Sequence, residues 1–327
     1  MNKILVISNL YPSETDPTYG TFVWNFVHEL ENADKFMDVD LCVIRGRTNF
    51  KLIKLLKYVV FYIKSVFLLS SKKYDLVYVH YITLSSIGLR IVSFFKNIPI
   101  AFNIHGDDLL TKSKFANSIL RFIKPLLFKS KLIVVPSNYF KMVLLDKFPC
   151  LDSSNIFISA SGGVKDTFYT LKEISNEPMT SLRLGYVSRI DEGKGWDIFC
   201  NAVGKLVNMG INVHGVIAGG GGQVELLKSK IVSMNLTNNI SYLGAVEQKK
   251  LSNLYSSIDL FVFPTLLRES LGLVGLEAMA SFTPVIGSDL GGLKSFIQEN
   301  YNGYLYEAGN SDELCIKILK YLNLTDL

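Results

Sequence analysis

Among the 327 residues only four are cysteine, Cys42, Cys150, Cys200 and Cys315. They lie far apart, with no C-x-x-C pair and no histidine at metal-ligand spacing, which argues against a disulfide framework or a zinc site. They read as packing thiols in a reducing compartment. Nine prolines are spread thinly, and charged residues make up 19% against 49% hydrophobic, a balance that excludes a disordered chain. No run reaches the eighteen or so apolar residues of a spanning helix. The opening "MNKILVISNLYPSE" has one lysine, an apolar run ending at Asn9 and no small-residue cleavage site. It reads as a first strand rather than a secretory signal, and the expected location is the cytoplasm. Arg-rich tracts and nucleic-acid motifs are missing too, so nucleic acid is not an expected partner.

What charge there is lies unevenly. Residues 1–170 carry 21 Lys/Arg against 13 Asp/Glu, and the remainder carries 13 against 16. The basic focus is "KLIKLLKYVVFYIKSVFLLSSKK", residues 51–73, where Lys51, Lys54, Lys57 and Lys64 recur at helical spacing among large apolar residues. Two readings follow: a helix lying on an anionic membrane surface, peripheral on the inner face of the membrane, or a core helix with one solvated lysine stripe.

Short β-rich runs alternate with longer helical patterns along the whole chain, in two sets of about six strands. Strict alternation implies parallel sheets covered on both faces. The expected fold is α/β, with two doubly wound Rossmann-like domains facing across a cleft. The polar, Pro-containing "TLKEISNEPMTS", residues 170–181, reads as the linker. The expected domains are 1–169 and 170–327. In such sheets ligands bind beyond the carboxyl ends of the strands, so the loops there carry the chemistry.

One such loop follows "IDLFVFPT" and holds Glu269. The helix after it starts near Leu271, where unpartnered amides form an anion or hydroxyl site and Gly272 leaves room for a ligand. Glu277, two turns on, is placed to accept from paired hydroxyls such as those of a ribose. Taken alone, the two glutamates are equally compatible with an exposed loop residue and the wet face of an amphipathic helix. The loop "VSRIDEGKGWDIF" brings Arg189 and Lys194, two cations suited to a diphosphate. The run "AGGGG" at 218–222 cannot complete the dinucleotide spacing G-x-G-x-x-G and reads as a tight turn beside a ligand. In the first half, "FNIHGDD" ends a strand at His105, a candidate acid, base or donor, with His80 as its rival. Gly20 precedes a helix whose free amides form a second such terminus. The one Asp-x-Asp pair, Asp38 and Asp40, precedes the apolar part of its strand, away from the strands' carboxyl ends, so no metal is expected there.

The segment "ESLGLVGLEAMASFTPVIGSDLGG" resembles the signature of retaining glycosyltransferases of the GT-B fold, family 4, in which two glutamates have seven residues between them, as Glu269 and Glu277 do. The likeness continues through "YPSETDPTYGTF", "HGDD", "VVPSNYFK", "SGGVKDTF" and "VSRIDEGKGWD". It implies a first domain for the acceptor and a second for a nucleotide-sugar donor. Glu269 would lie by the donor sugar and Glu277 on the ribose hydroxyls. The amides of Leu271, Gly272, Leu273 and Val274 would hold sugar hydroxyls and phosphate. Arg189 and Lys194 would neutralise the departing diphosphate in place of a metal, with no cofactor. His105 would face the transferred sugar, Gly20 the phosphates, and backbone near Val246 the base, uridine ahead of guanosine. The acceptor implied is a saccharide or lipid-linked saccharide of a surface polymer. Such enzymes continue beyond the "SDEL" helix into further helices that cross back onto the first domain, whereas this chain reaches Leu327. An epimerase of the same fold and a non-catalytic nucleotide-sugar binder are the alternatives.

Overall fold

The computed structural model describes residues 3–17, 19–33, 37–106, 108–111, 113–160, 163–169 and 181–325. Asp107 and residues 170–180, most of the expected linker, lie outside them. The chain divides into two compact units, Met1–Gly162 and Gly163–Leu327. The division falls earlier than the expected 169/170 because Phe168 is buried in the second core, its ring 6.0 Å from that of Tyr255. Ser281 Oγ also donates to the Phe168 carbonyl at 3.0 Å.

The first unit runs β1 (Lys3–Tyr11), α1 (Thr21–Ala33), β2 (Asp38–Arg45), α2 (Lys51–Ser71), β3 (Leu76–His80), α3 (Ile82–Ser85) and α4 (Ile87–Val92). It continues with β4 (Ile100–Asn103), α5 (Lys114–Lys129), β5 (Leu132–Val135), α6 (Asn138–Lys147) and β6 (Ile156–Ile158). All six strands are parallel, in the order β2-β1-β3-β4-β5-β6. Side chains alternate across the sheet. Leu5 and Ile7 of β1 therefore face a core shared with α2, α4, α5 and α6, while Ile4 and Val6 face the smaller core under α1. The order reverses between β1 and β3, a switch point of the doubly wound kind.

Helix α2 departs from the reading as a core helix with one lysine stripe. Phe61, Ser65, Leu68 and Leu69 face the core, and Lys51, Lys54 and Lys64 are exposed, but they share the solvent side with large apolar residues. Leu52, Leu56, Val60, Ile63 and Phe67 occupy it, and Lys57 is turned inward, its Nζ donating to the carbonyls of Arg45 (2.7 Å) and Gly46 (2.9 Å). Among the described helices none is long and apolar enough to cross a membrane. Asp38 and Asp40 sit in the first turns of β2, where Lys3 meets Asp38 at 2.6 Å and Lys72 meets Asp40 at 2.8 Å. Cys42, Cys200 and Cys315 are packing thiols, whereas Cys150 is exposed and packs nothing.

The second unit comprises β7 (Leu182–Val187), α7 (Trp196–Asn208), β8 (Val213–Ala218), α8 (Val224–Ser233), β9 (Ile240–Tyr242) and α9 (Gln248–Ser256). It ends with β10 (Leu260–Phe263), α10 (Leu273–Ala280), β11 (Val285–Ser288), β12 (Gly303–Tyr306) and α11 (Ser311–Thr325). The parallel order β12-β11-β10-β7-β8-β9 is the Rossmann order read from one edge, with β7 as its first strand. The direction of winding reverses between β7 and β10. At that reversal the helices following the two strands pack on opposite faces, and the loops above their carboxyl ends part to leave a crevice.

Candidate active site

Two loops meet above that crevice. Residues 188–195 follow β7 and residues 264–272 follow β10. Leu266 N–H donates to the Gly193 carbonyl at 2.8 Å, and the Tyr186 hydroxyl reaches the carbonyls of Arg189 and Lys194 from beneath. Gly195 has φ +78°, and a Cβ there would stand 1.7 Å from the Pro264 carbonyl oxygen, so only glycine lets the loops close to this distance.

The closure sets Lys194 Nζ 2.8 Å from Glu269 Oε1, with the side chains 14% and 21% exposed. The Thr265 hydroxyl donates to the same oxygen at 3.2 Å and fixes the carboxylate from the β10 side. An ammonium has three N–H donors. Glu269 takes one, leaving two for oxygens of a ligand in the crevice. Arg189, on the same loop, is 72% exposed and bonded to Asp191 at 3.0 Å. The structure thus separates two cations that the sequence reading treats alike.

The ends of β7 and β8, with residues that follow β9, line a pocket of about 200 Å³. Arg189, Gly219, Gly220 and Val246 line it, so the sequence-expected base contact and the glycine run share one cavity. Gly219, at φ +144°, would place a Cβ 1.7 Å from the Ser188 carbonyl oxygen. Gly219 is required by backbone packed against backbone, whereas a Cβ on Gly220 would make only an ordinary contact with Ala245 at 3.7 Å.

Helix α10 starts at Leu273 with Gly272 as its N-cap, φ +92°. Its first amides have no acceptor within the helix. Leu271 is buried at this entrance, while Val274 packs on the neighbouring core. Glu277 is not on a wet face. It is buried, with Oε1 accepting from Gln248 Nε2 at 3.2 Å and Oε2 from the Tyr255 hydroxyl at 3.3 Å. Burial pushes its carboxyl above the usual range, opposed by those two donors and the charge of Lys165. Both hydrogen bonds are long for a carboxylate, which leaves it able to accept a stronger pair from a diol.

In the first unit the two rival histidines are partners. His80 Nδ1 and His105 Nε2 are 3.0 Å apart at the ends of β3 and β4. Tyr81 stacks on His105 at 4.9 Å and Phe22, from the first turn of α1, lies 4.5 Å away. Gly20 closes that turn beside β1, where a Cβ would meet Leu10 backbone at 2.6 Å. Burial lowers His105 to about 4, and burial first and the neighbouring ring second lower His80 well below its ordinary value. Both rings are therefore neutral at pH 7. Sequence reasoning missed what orients them. Buried Asp108 accepts from the amides of His105 (3.1 Å) and Gly106 (2.9 Å) with Oδ1, and from Ile82 (3.1 Å) with Oδ2. The signal was an aspartate two residues after a glycine in a strand-end loop, an Asx-type staple. Gln248, Tyr255 and Thr265 left none, because each is an ordinary residue of its element. Among the described residues there is no cluster of His, Cys, Asp or Glu suited to a metal ion.

Solved structures share this fold. HepE from Anabaena, crystallised in complex with UDP, superposes with a TM-score of 0.74 at 18% identity, covering 99% of this chain and 91% of that one. The fold is therefore GT-B, two Rossmann-like units of the glycosyltransferase kind. The model of glycosyl transferases group 1 matches residues 168–327, and that of glycosyltransferase family 4 matches residues 22–158. The chain belongs to the family 4 glycosyltransferases of the GT-B fold. An uncharacterised glycosyltransferase of Methanocaldococcus jannaschii is 26% identical over 262 residues, 80% of this chain and 69% of its own. Phosphatidyl-myo-inositol mannosyltransferase of Mycobacterium leprae is 28% identical over 158 residues, 48% of this chain and 41% of its own. For the first curated relatives the match spans from 33% to 69% of their length.

Proposed function

We propose that the protein transfers a hexose from a nucleoside diphosphate donor, UDP ahead of GDP, to a saccharide hydroxyl, with retention of anomeric configuration. The observation that carries this reading is the Lys194–Glu269 pair at the β7/β10 switch point, with Arg189 of the Lys194 loop lining a pocket that Val246 also lines. The C1–O bond to the donor breaks and the nucleoside diphosphate leaves as a dianion or trianion, and an oriented, half-buried ammonium stabilises that developing charge. In this reading the free amides of α10, from Leu273 and Val274, together with those of Leu271 and Gly272, hold sugar and phosphate oxygens, and Glu277 accepts the ribose diol. Lys194 and Arg189 do the work a divalent metal does in other sugar-nucleotide enzymes. The first unit takes the acceptor, with neutral His105 as a hydrogen-bond donor to the reacting sugar and Gly20 in the neighbouring turn. The acceptor is a lipid-linked saccharide of a surface polysaccharide, met at the inner face of the cytoplasmic membrane. A phosphatidylinositol mannosyltransferase among the relatives supports a lipid acceptor.

The test is nucleotide release from UDP-, GDP- and ADP-sugars with and without saccharide acceptors, repeated with a chelator, the product anomer being read by proton NMR. Release of one nucleotide that requires acceptor, resists the chelator and keeps the donor's configuration supports the reading. A converted nucleotide sugar without acceptor would instead indicate an epimerase, and donor binding without release a non-catalytic binder.

A further inference from the structure

Helix α2 carries two apolar faces, and only one belongs to the core. Leu52, Leu56, Val60, Ile63 and Phe67 recur at helical spacing on the other and are 54–68% exposed. A helix of 21 residues is about 31 Å long, so this is a continuous apolar ridge, beyond the scattered exposure usual in soluble proteins. Helix α4 carries the surface on. Phe94 and Phe95 follow it, exposed, with the Arg90 guanidinium 4.0 Å over the Phe94 ring.

Along α2 itself the charge has one sign, and Asp40 meets Lys72 only at the helix's carboxyl end. Residues 41–74 contain no Asp or Glu, and residues 41–145 contain 17 Lys/Arg against three Asp. Of those three, Asp108 is buried. Between α2 and the end of β2 lies a cavity of about 420 Å³ whose lining combines Val43, Leu56 and Val60 with Arg45, Lys57 and Lys64. An apolar slot edged by cations matches an amphiphile with an anionic head, the phosphate and first methylenes of a phospholipid. A second copy of the chain is a poor occupant, because a two-fold contact would set lysines against lysines.

We propose that the outer face of α2, with the cation-edged cavity beside β2, seats the protein on an anionic phospholipid bilayer, the helix lying in the interface plane. Apolar side chains enter the acyl boundary while Lys51, Lys54 and Lys64 reach phosphates, the geometry of an interfacial amphipathic helix. The purpose of this docking rests on the lipid-linked acceptor reading above. Its test does not, since vesicle binding needs neither donor nor acceptor.

The experiment is co-sedimentation of the full chain with vesicles of phosphatidylcholine alone or mixed in equal parts with phosphatidylglycerol, at low and high salt, with sedimentation velocity on the free protein. Two double variants accompany it, Leu56→Ser/Ile63→Ser and Lys51→Ala/Lys54→Ala, all at exposed positions. Melting curves confirm that they fold. Wild type is expected to bind the anionic vesicles at low salt. The lysine variant should partition about 30-fold less, the effect of two basic residues at a surface, and the apolar variant at least about tenfold less. Wild type left in the supernatant, or bound equally well in both variants, overturns the proposal. A dimer that fails to bind vesicles and falls apart in the Leu56→Ser/Ile63→Ser variant would assign the ridge to self-association instead. Vesicle binding by a protein that releases no nucleotide from any donor would leave the docking intact and count against the catalytic reading.

Discussion

Lys194 Nζ and Glu269 Oε1 stand 2.8 Å apart across the point where the second sheet reverses its winding, joined by loops that hydrogen-bond to each other. Both partners are braced by neighbours. Glu269 is braced by Thr265 at 3.2 Å, and the loop of Lys194 by Tyr186 beneath it. Removing the ammonium leaves a half-buried carboxylate facing an anionic leaving group. Lys194→Ala is expected to lower the rate of nucleotide release by about 100- to 1000-fold, the usual loss for one oriented charge-stabilising donor. Arg189→Ala should lose less, because that guanidinium is solvated and shared with Asp191. Initial rates at saturating donor check both.

Glu277 separates binding from chemistry. Its carboxylate is buried with two long donors, and in the proposed site it meets the ribose, remote from the bond that breaks. Glu277→Gln keeps the shape and exchanges a charge-assisted hydrogen bond for a neutral one, worth about 1–1.5 kcal/mol. Donor KM should rise about tenfold with kcat nearly unchanged, measured by varying donor at saturating acceptor. Tyr255→Phe removes a buried donor to the same carboxylate and should destabilise the fold by about 1–3 kcal/mol in urea unfolding.

The buried His80–His105 pair makes stability depend on pH. A histidine whose folded pKa is depressed to about 4 is stabilising above its unfolded value near 6.5, and that contribution is lost as pH falls toward 4. Asp108, raised to about 6 by burial, acts in the opposite sense, stabilising at low pH and losing that as pH rises through 6. From pH 7 to pH 5, His105 costs about 2 kcal/mol and Asp108 returns about 1 kcal/mol. His80, lowered for the same reason, adds to the loss. Urea unfolding should show a less stable protein at pH 5 than at pH 7, and a steeper fall in Asp108→Asn, which lacks the compensating proton.

Gly195→Ala tests the loop closure without touching a charge. The added Cβ would stand 1.7 Å from the Pro264 carbonyl oxygen, backbone that cannot rotate away as a side chain can, at a φ of +78°. A loss of about 2–4 kcal/mol is expected, from strain and the broken approach together. Gly210→Ala, also at positive φ but with open space around it, should cost only about 1 kcal/mol. Thermal unfolding of the two variants side by side makes the comparison.

The alternation of β-rich runs and helices was readable because each strand is short, apolar and bounded by a turn, and the described strands form the two sets of six that the alternation implies. Lys194, Glu269 and Arg189 were readable as strand-end residues, since parallel topology sends every such loop to one edge of the sheet, whereas Val246 came only from the family resemblance. Their pairing was not. That Lys194 meets Glu269 while Arg189 turns to Asp191 depends on Gly195 lying against Pro264, a contact between segments about 70 residues apart. The outer ridge of α2 was hidden for another reason. Lys51, Lys54, Lys57 and Lys64 share a helical spacing, but the core contacts of Phe61 and Leu68 decide which side is turned out, and they turn out the leucines.

The central claim is that the second unit holds a nucleoside diphosphate on Lys194 and Glu277, beside Val246. Thermal unfolding with UDP, GDP and ADP, on wild type and Lys194→Ala, tests it most directly. At a hundredfold excess over Kd a bound nucleotide stabilises the folded protein by about 2.7 kcal/mol, visible as a shift of several degrees. The account expects such a shift with one nucleotide, UDP first, and its loss in Lys194→Ala. No shift with any of the three, or an equal shift in the variant, would contradict it.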